Sequence, residues 1–532
     1  MKELNRRELT IEQKLGMLLC ANINHGPADV DYAIKLIREH KLGAVWLQPE
    51  FPGAADIIRR VVAEADYPLL VFCDAECGVP GYGISQQIAL GAANGGDEAL
   101  AFSFGRLTAS LLHEIGYNMI CNPVVDIPPN KNMPCGATVR TFGSDLETVN
   151  RLAAALARGQ HAGGVLNCAK HYPGVSNGMP YDTHMREGYS ELSAEELLAR
   201  DIVPYIHLHR EGLLDCVMVG HMRYPKIDPD RPASLSRGMI DLLRGAGYDG
   251  MITTDALNMM GIVLKYGETT PIGISIAAGA DLPLPWGINT ERAYAGILEC
   301  YRKGLITDEM VETALDRVLA AQHKVALLPP AAPPLSEDIE NVRRVHRESI
   351  AAVCAEGVSP AISRDGKHLF TIVTDKDIEV PVDYVPGPRD WFFPPRIAAC
   401  IRELFPNSEV TTLPLLPTMN SNIPYFDKQT QFDDIVFITQ LGGGCYIGRE
   451  HLTTRVVDIM DALQTTDRIV AHLHFGNPFV AADAPFVPRI LIGYASEHTV
   501  NDALDILAGE AEPLGKLPFE IDFHKKGDFL GY

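Results

Sequence analysis

Eight short apolar runs limit what this chain can fold into: "MLLCA" (17–21), "GAVWL" (43–47), "LLVFCD" (69–74), "MICNPVVDI" (119–127), "VLNCAKH" (165–171), "CVMVGHM" (216–222), "GMITTDAL" (250–257) and "GADLPLP" (279–285). Runs of this length, apolar on both faces, suit parallel strands covered by helices. Between them lie segments with near-3.6 spacing, such as 97–116 and 146–164, each closed by glycine as at a helix C-terminus. Eight strand–helix units predict a (β/α)8 TIM-type barrel, with a doubly wound sheet as the structural alternative. A barrel gathers its working residues at the C-terminal ends of its strands. The polar residues fall there: Asp74, Asp126, Lys170 and His171, His221, and Asp255. Charges at strand ends are costly unless they meet solvent or a ligand.

The stretch 328–336, "LPPAAPPLS", carries Pro329, Pro330, Pro333 and Pro334, and reads as a linker. It divides a catalytic barrel over 1–327 from a smaller α/β sandwich domain over 337–532. The second domain is expected to open with a helix around 337–356 and to continue through apolar runs at 368–374, 434–439, 468–476 and 489–495. The "GGG" at 442–444 reads as a plain loop, since no Lys-Ser/Thr signature follows it.

The formal net charge of −22 opposes binding to phosphate backbones or anionic lipid, so neither nucleic acid nor membrane is an expected partner. No run reaches the ~18 apolar residues of a membrane span, and the N-terminus lacks a secretory pattern. Eleven cysteines without framework spacing read as buried apolar thiols in a cytoplasmic protein.

Asp255 leaves an apolar run in "MITTDALNM" and is either a helix N-cap or a carboxylate nucleophile held at the barrel mouth. The stretch "CAKHYPGVSNGMPYDTH" (168–184) collects proton carriers and hydroxyl-gripping groups. Its "Asp182-Thr183-His184" offers a histidine general acid/base with an adjacent carboxylate to fix its tautomer, or else an Asx-turn beside a solvated histidine.

"KHYPG" (170–174) followed by "DTH" (182–184) resembles the K-H-F-P-G…D-S-H loop of glycoside hydrolase family 3, in its bacterial β-N-acetylglucosaminidase branch. The segment 220–262, ending "GMITTDALNMMGI", is similar to that family's approach to its nucleophile. "CDAECGV" (73–79), "NPVVDI" (122–127) and "RTFGSD" (140–145) match three further barrel motifs, and "LAGEAEPLGKLPFEI" (507–521) the end of its sandwich domain. The resemblance implies Asp255 as nucleophile and Asp182 with His184 as the acid/base dyad. It implies that Asp74, Arg140, Lys170, His171 and His221 line or grip the sugar. This chain has "VSNGMPY" between P-G and D-T-H, and Tyr82 near the place of an expected arginine.

The implied activity is that of a retaining exo-β-N-acetylglucosaminidase, acting on a small carbohydrate through a glycosyl-aspartate, in cell-wall fragment recycling. It calls for neither metal nor cofactor. A β-glucosidase, a β-xylosidase or a glycoside phosphorylase of the same family is the alternative. A non-catalytic sugar-binding relative is a further one.

Overall fold

The computed structural model describes residues 4–79, 86–128, 140–175, 182–374, 392–441, 445–446, 450–494, 496 and 498–523. Tyr82, residues 176–181 and the 442–444 glycines lie outside them. The chain divides into two compact units. The first comprises Met1–Val79, Glu98–Pro128 and Leu146–Asn341, and the second Pro80–Asp97, Pro129–Asp145 and Val342–Tyr532.

In the first unit, β1 (Cys20–Asn22), β2 (Ala44–Trp46), β3 (Leu70–Cys73), β4 (Met119–Ile120), β5 (Leu166–Tyr172), β6 (Cys216–Val219) and β7 (Met251–Thr254) form one sheet in sequence order. Every pairing is parallel. All seven strands are buried along their length, which is why their sequences are apolar without alternation. The fold is the TIM-type barrel that the run pattern predicts, with one irregular stave.

That stave is the eighth run, which is not a strand. Pro283 and Pro285 have no N–H to give to a ladder. The segment instead bridges the two open edges by single bonds. The Asp281 and Leu282 N–H groups donate to the Ile252 carbonyl at 2.8 and 3.1 Å, and Leu257 N–H donates to the Leu284 carbonyl at 2.9 Å. On the other side Cys20 N–H donates to the Pro283 carbonyl at 3.3 Å. Side chains supply what prolines withhold: Thr253 Oγ1 donates to the Leu282 carbonyl at 2.6 Å, and Leu284 N–H to Thr254 Oγ1 at 3.1 Å. Asp281 anchors the stave. Its buried carboxylate accepts from Ile252 N–H at 2.8 Å and from Arg244 and Arg317, both at 3.0 Å. Burial pushes this carboxyl up to about 6, even though the two guanidiniums pull the other way.

The second unit carries a six-stranded sheet made of β8 (Ala351–Cys354), β9 (His368–Thr374), β10 (Glu409–Pro414), β11 (Asp434–Leu441), β12 (Ile469–Gly476) and β13 (Arg489–Gly493). The spatial order is β10-β9-β11-β12-β13-β8, parallel except for β8. Separate apolar clusters cover its two faces, giving the expected α/β sandwich. The expected helix over 337–356 stops earlier, at Ser336–Glu348, and residues 351–354 turn back as the antiparallel edge strand β8. β10 is the other edge strand and mostly solvent-facing, so no apolar run marks it in the sequence.

Two insertions between barrel strands belong to this second unit. Lys516 N–H donates to the Ala92 carbonyl at 2.9 Å, and Ser144 N–H to the Pro518 carbonyl at 3.2 Å. Gly91 lies so close to Phe142 that any Cβ there would sit 1.8 Å from the Phe142 carbonyl oxygen.

Asp281→Ala is expected to cost about 3–5 kcal/mol, because it strands two guanidiniums and a buried N–H at the barrel's closing seam. Urea unfolding followed by tryptophan fluorescence checks this; a midpoint within error of wild type would show that the seam does not depend on Asp281.

Candidate active site

The parallel sheet sets all its C-terminal strand ends on one rim. Asp255 follows β7 directly, and its N–H continues the ladder by donating to the Val219 carbonyl of β6 at 2.9 Å. One carboxylate oxygen accepts from Ala256 N–H at 2.7 Å. Burial alone would raise this carboxyl. The nearby His171, His221 and His184, with the Ala256 N–H, more than reverse that and hold it at about 2. Asp255 is therefore an anion at neutral pH.

Lys170 and His171 sit near the end of β5, joined by a cis peptide bond. The Lys170 side chain is almost wholly enclosed, with 1% of its surface exposed. Its ammonium lies 2.5 Å from Asp74 and 2.5 Å from Glu76, both in the turn after β3. A buried ammonium is tolerable only when paired in this way. Asp74 also accepts from the Gln48 amide, while its own N–H donates back to Gln48 Oε1 at 3.2 Å. The strand ends of β2, β3 and β5 are thus tied into one polar cluster, and Asp74 keeps part of its surface open.

His171 is oriented by Asp126, in the loop after β4. The ring Nδ1–H donates to one Asp126 oxygen at 2.9 Å. The other oxygen accepts from the backbone N–H groups of His171 at 3.3 Å and Val175 at 3.1 Å. His221, after β6, is buried, and both its ring nitrogens are occupied. Nε2–H donates to the Ala256 carbonyl at 3.0 Å, so Nδ1 accepts from Ser234 Oγ at 2.8 Å. Burial pushes its pKa down, which keeps the ring neutral in this tautomer. Both ring nitrogens of His221 are thus engaged within the protein, at the turn behind Asp255.

In the loop after β5, Asp182 Oδ1 accepts from His184 Nδ1–H at 2.7 Å and from the His184 backbone N–H at 3.0 Å. The carboxylate fixes both the tautomer and the orientation of the ring. The loop is pinned over the turn after β7, since Met260 N–H donates to the His184 carbonyl at 3.1 Å. A Cβ added to Gly261 would lie 3.1 Å from the Glu187 backbone nitrogen, so the two segments pack face to face.

Asp74, Lys170, His171, Asp182, His184, His221 and Asp255 therefore all lie in the first unit. Arg140 belongs to the second, where it is half-buried. Sequence reasoning did not single out Gln48, Glu76 or Ser234. Only Glu76 had a signal, from its place in "CDAECGV".

A barrel rim that gathers a buried carboxylate and a carboxylate-backed histidine fits one class of protein, the α/β-barrel glycoside hydrolases. The profile of the glycosyl hydrolase family 3 N terminal domain matches residues 10–321, and the chain belongs to that family. A β-hexosaminidase of Pseudomonas aeruginosa is 34% identical over 189 residues, 35% of this chain and 55% of its own length. One from Tolumonas auensis is 32% identical over 243 residues, 43% of this chain and 69% of its own. The chain thus spans little more than half of the Pseudomonas relative. A family 3 β-N-acetylglucosaminidase from Paenibacillus sp. str. FPU-7 superposes with a TM-score of 0.79 at 25% identity, over 97% of this chain and 100% of that one. The β-glucoside phosphorylase BglX shares the fold, with a TM-score of 0.81 at 23% identity over 98% of this chain and 95% of its own.

Asp126→Ala removes three hydrogen bonds from one buried carboxylate and leaves two backbone N–H groups without it. A loss of about 3 kcal/mol in unfolding free energy is expected, with Asp126→Asn losing less because it keeps an acceptor. Equal stability of both variants and wild type in chemical denaturation would contradict this account of the β4 loop.

Proposed function

We propose that the protein is a retaining exo-β-N-acetylglucosaminidase. The observation that carries this reading is the Asp182–His184 pair, pinned by Met260 across the turn that presents an anionic Asp255. Asp255 attacks the anomeric carbon while the glycosidic oxygen leaves with a proton from His184 Nε2. His184 then takes a proton from water, which opens the glycosyl-aspartate. Asp182 stabilises the imidazolium that exists before the first transfer and again after the second. Asp74 and Lys170 supply an acceptor and a donor for ring hydroxyls, and His171, fixed by Asp126, completes that wall. The sugar is assigned from the dyad, supported by the β-hexosaminidase and β-N-acetylglucosaminidase relatives. The setting is cytoplasmic recycling of cell-wall fragments. In support, the ten described cysteines are free thiols, suited to a reducing compartment.

Asp255→Ala is expected to lower turnover at least about a thousandfold with the fold intact, since the covalent route is lost. His184→Ala should penalise alkyl glycosides far more than dinitrophenyl glycosides, whose leaving groups need little protonation. Equal losses on both substrate types would remove His184 from proton transfer.

On nitrophenyl glycosides, kcat/KM for β-N-acetylglucosaminide should exceed that for β-glucoside or β-xyloside at least about tenfold, because the acetamido group adds a methyl and an amide to enclose. The reverse order would reject the sugar. Added phosphate should leave free sugar as the product; a sugar 1-phosphate would reassign the reaction to phosphorolysis.

A further inference from the structure

Three apolar side chains stand in solvent beside the proton-donating loop. Met185, the residue after His184, is 48% exposed; Met260 is 41% and Leu264 is 73% exposed. Single exposed apolar residues are ordinary on a protein surface. These three are not scattered. Met260 N–H is bonded to the His184 carbonyl, which brings Met260 against the Met185 end of the loop. Met260 and Leu264 are four apart on the Met260–Tyr266 helix and so share one face. The far side of this short helix is fastened elsewhere: Ile262 is buried, and Lys265 and Tyr266 donate to the Asp230 carbonyl at 3.0 and 3.1 Å. The apolar face is thereby held outward.

We infer that Met185, Met260 and Leu264 form a subsite for the leaving group, one that takes an alkyl- or aryl-bearing aglycone. This rests on the glycosidase reading above. A general acid must lie within hydrogen-bond reach of the oxygen it protonates. That oxygen carries the aglycone, so surface immediately outward from His184 is where the aglycone passes. The cluster of Asp74, Lys170 and His171 is polar, as a sugar requires, while these three side chains offer only carbon and sulfur. Thioether side chains adapt to varied apolar shapes, which suits a site that meets different leaving groups.

The test compares hexyl with methyl glycosides, on both N-acetylglucosamine and glucose. The two alcohols are almost equally poor leaving groups, so chemistry and any general loss of activity cancel in the hexyl-to-methyl ratio of kcat/KM. Wild type is expected to favour hexyl at least tenfold. Leu264→Ser and Met260→Ser/Leu264→Ser should bring the ratio to within about twofold of one, and Leu264→Phe should restore it. A ratio unchanged in the serine variants overturns the subsite. So does an unchanged ratio with an altered mass in analytical ultracentrifugation, which would make the patch a contact between copies of the chain. Turnover of glucosides alone would reject the assigned sugar while the ratio still reads the rim. If neither sugar is cleaved, the glycosidase reading fails, and the ratio of Kd values for the same two compounds by calorimetry decides the rim separately.

Discussion

A parallel sheet that curls through seven strands ends with two unpaired edges, and everything at the rim depends on how those edges are joined. Here the joint is the 280–284 segment, bonded to β7 on one side and β1 on the other. Its prolines rule out a regular ladder, so Thr253, Thr254 and the Asp281 carboxylate do the joining. Without closure β7 would be an edge strand, and Asp255, at its tip, would have no fixed direction. The charge-rich rim is affordable because the joint beneath it is rigid.

On that rim the charges are separated by role. The ammonium of Lys170 is paired with both Asp74 and Glu76. Three histidines lie near Asp255, and each has its ring fixed by a different partner: Asp126 for His171, Asp182 for His184, Ser234 and the Ala256 carbonyl for His221.

Much of this was legible beforehand because barrel strands announce themselves. Being buried on both faces, they are apolar throughout, so a charged residue at their end stands out, as Asp74, Lys170, His171 and Asp255 do. The Asp-Thr-His triplet was legible because its partners are two residues apart. What escaped depends on neighbours in space. Gln48 matters only because the ends of β2 and β3 adjoin, and the Ser234 and Ala256 partners of His221 come from separate stretches of chain. Apolar spelling also hid a difference in kind: "GADLPLP" looks like its seven fellows, but its prolines make it a strut. β10 failed the opposite way, since an edge strand open to solvent needs no apolar run.

The second unit is sewn from three separated lengths of chain, two of them loops of the barrel. It is therefore not a domain that can be cut off at the proline-rich stretch. Truncation there would discard the six-stranded sheet but leave behind the Gln87–Ala92 helix and residues 140–145, whose backbone bonds to Lys516 and Pro518 would be lost. During synthesis the same threading imposes an order. Residues of the second unit emerge before most of the barrel is made, and must wait through some two hundred residues for the strands that complete them. The early loops stay incomplete until the last third of the chain is made, so the two units cannot fold strictly one after the other.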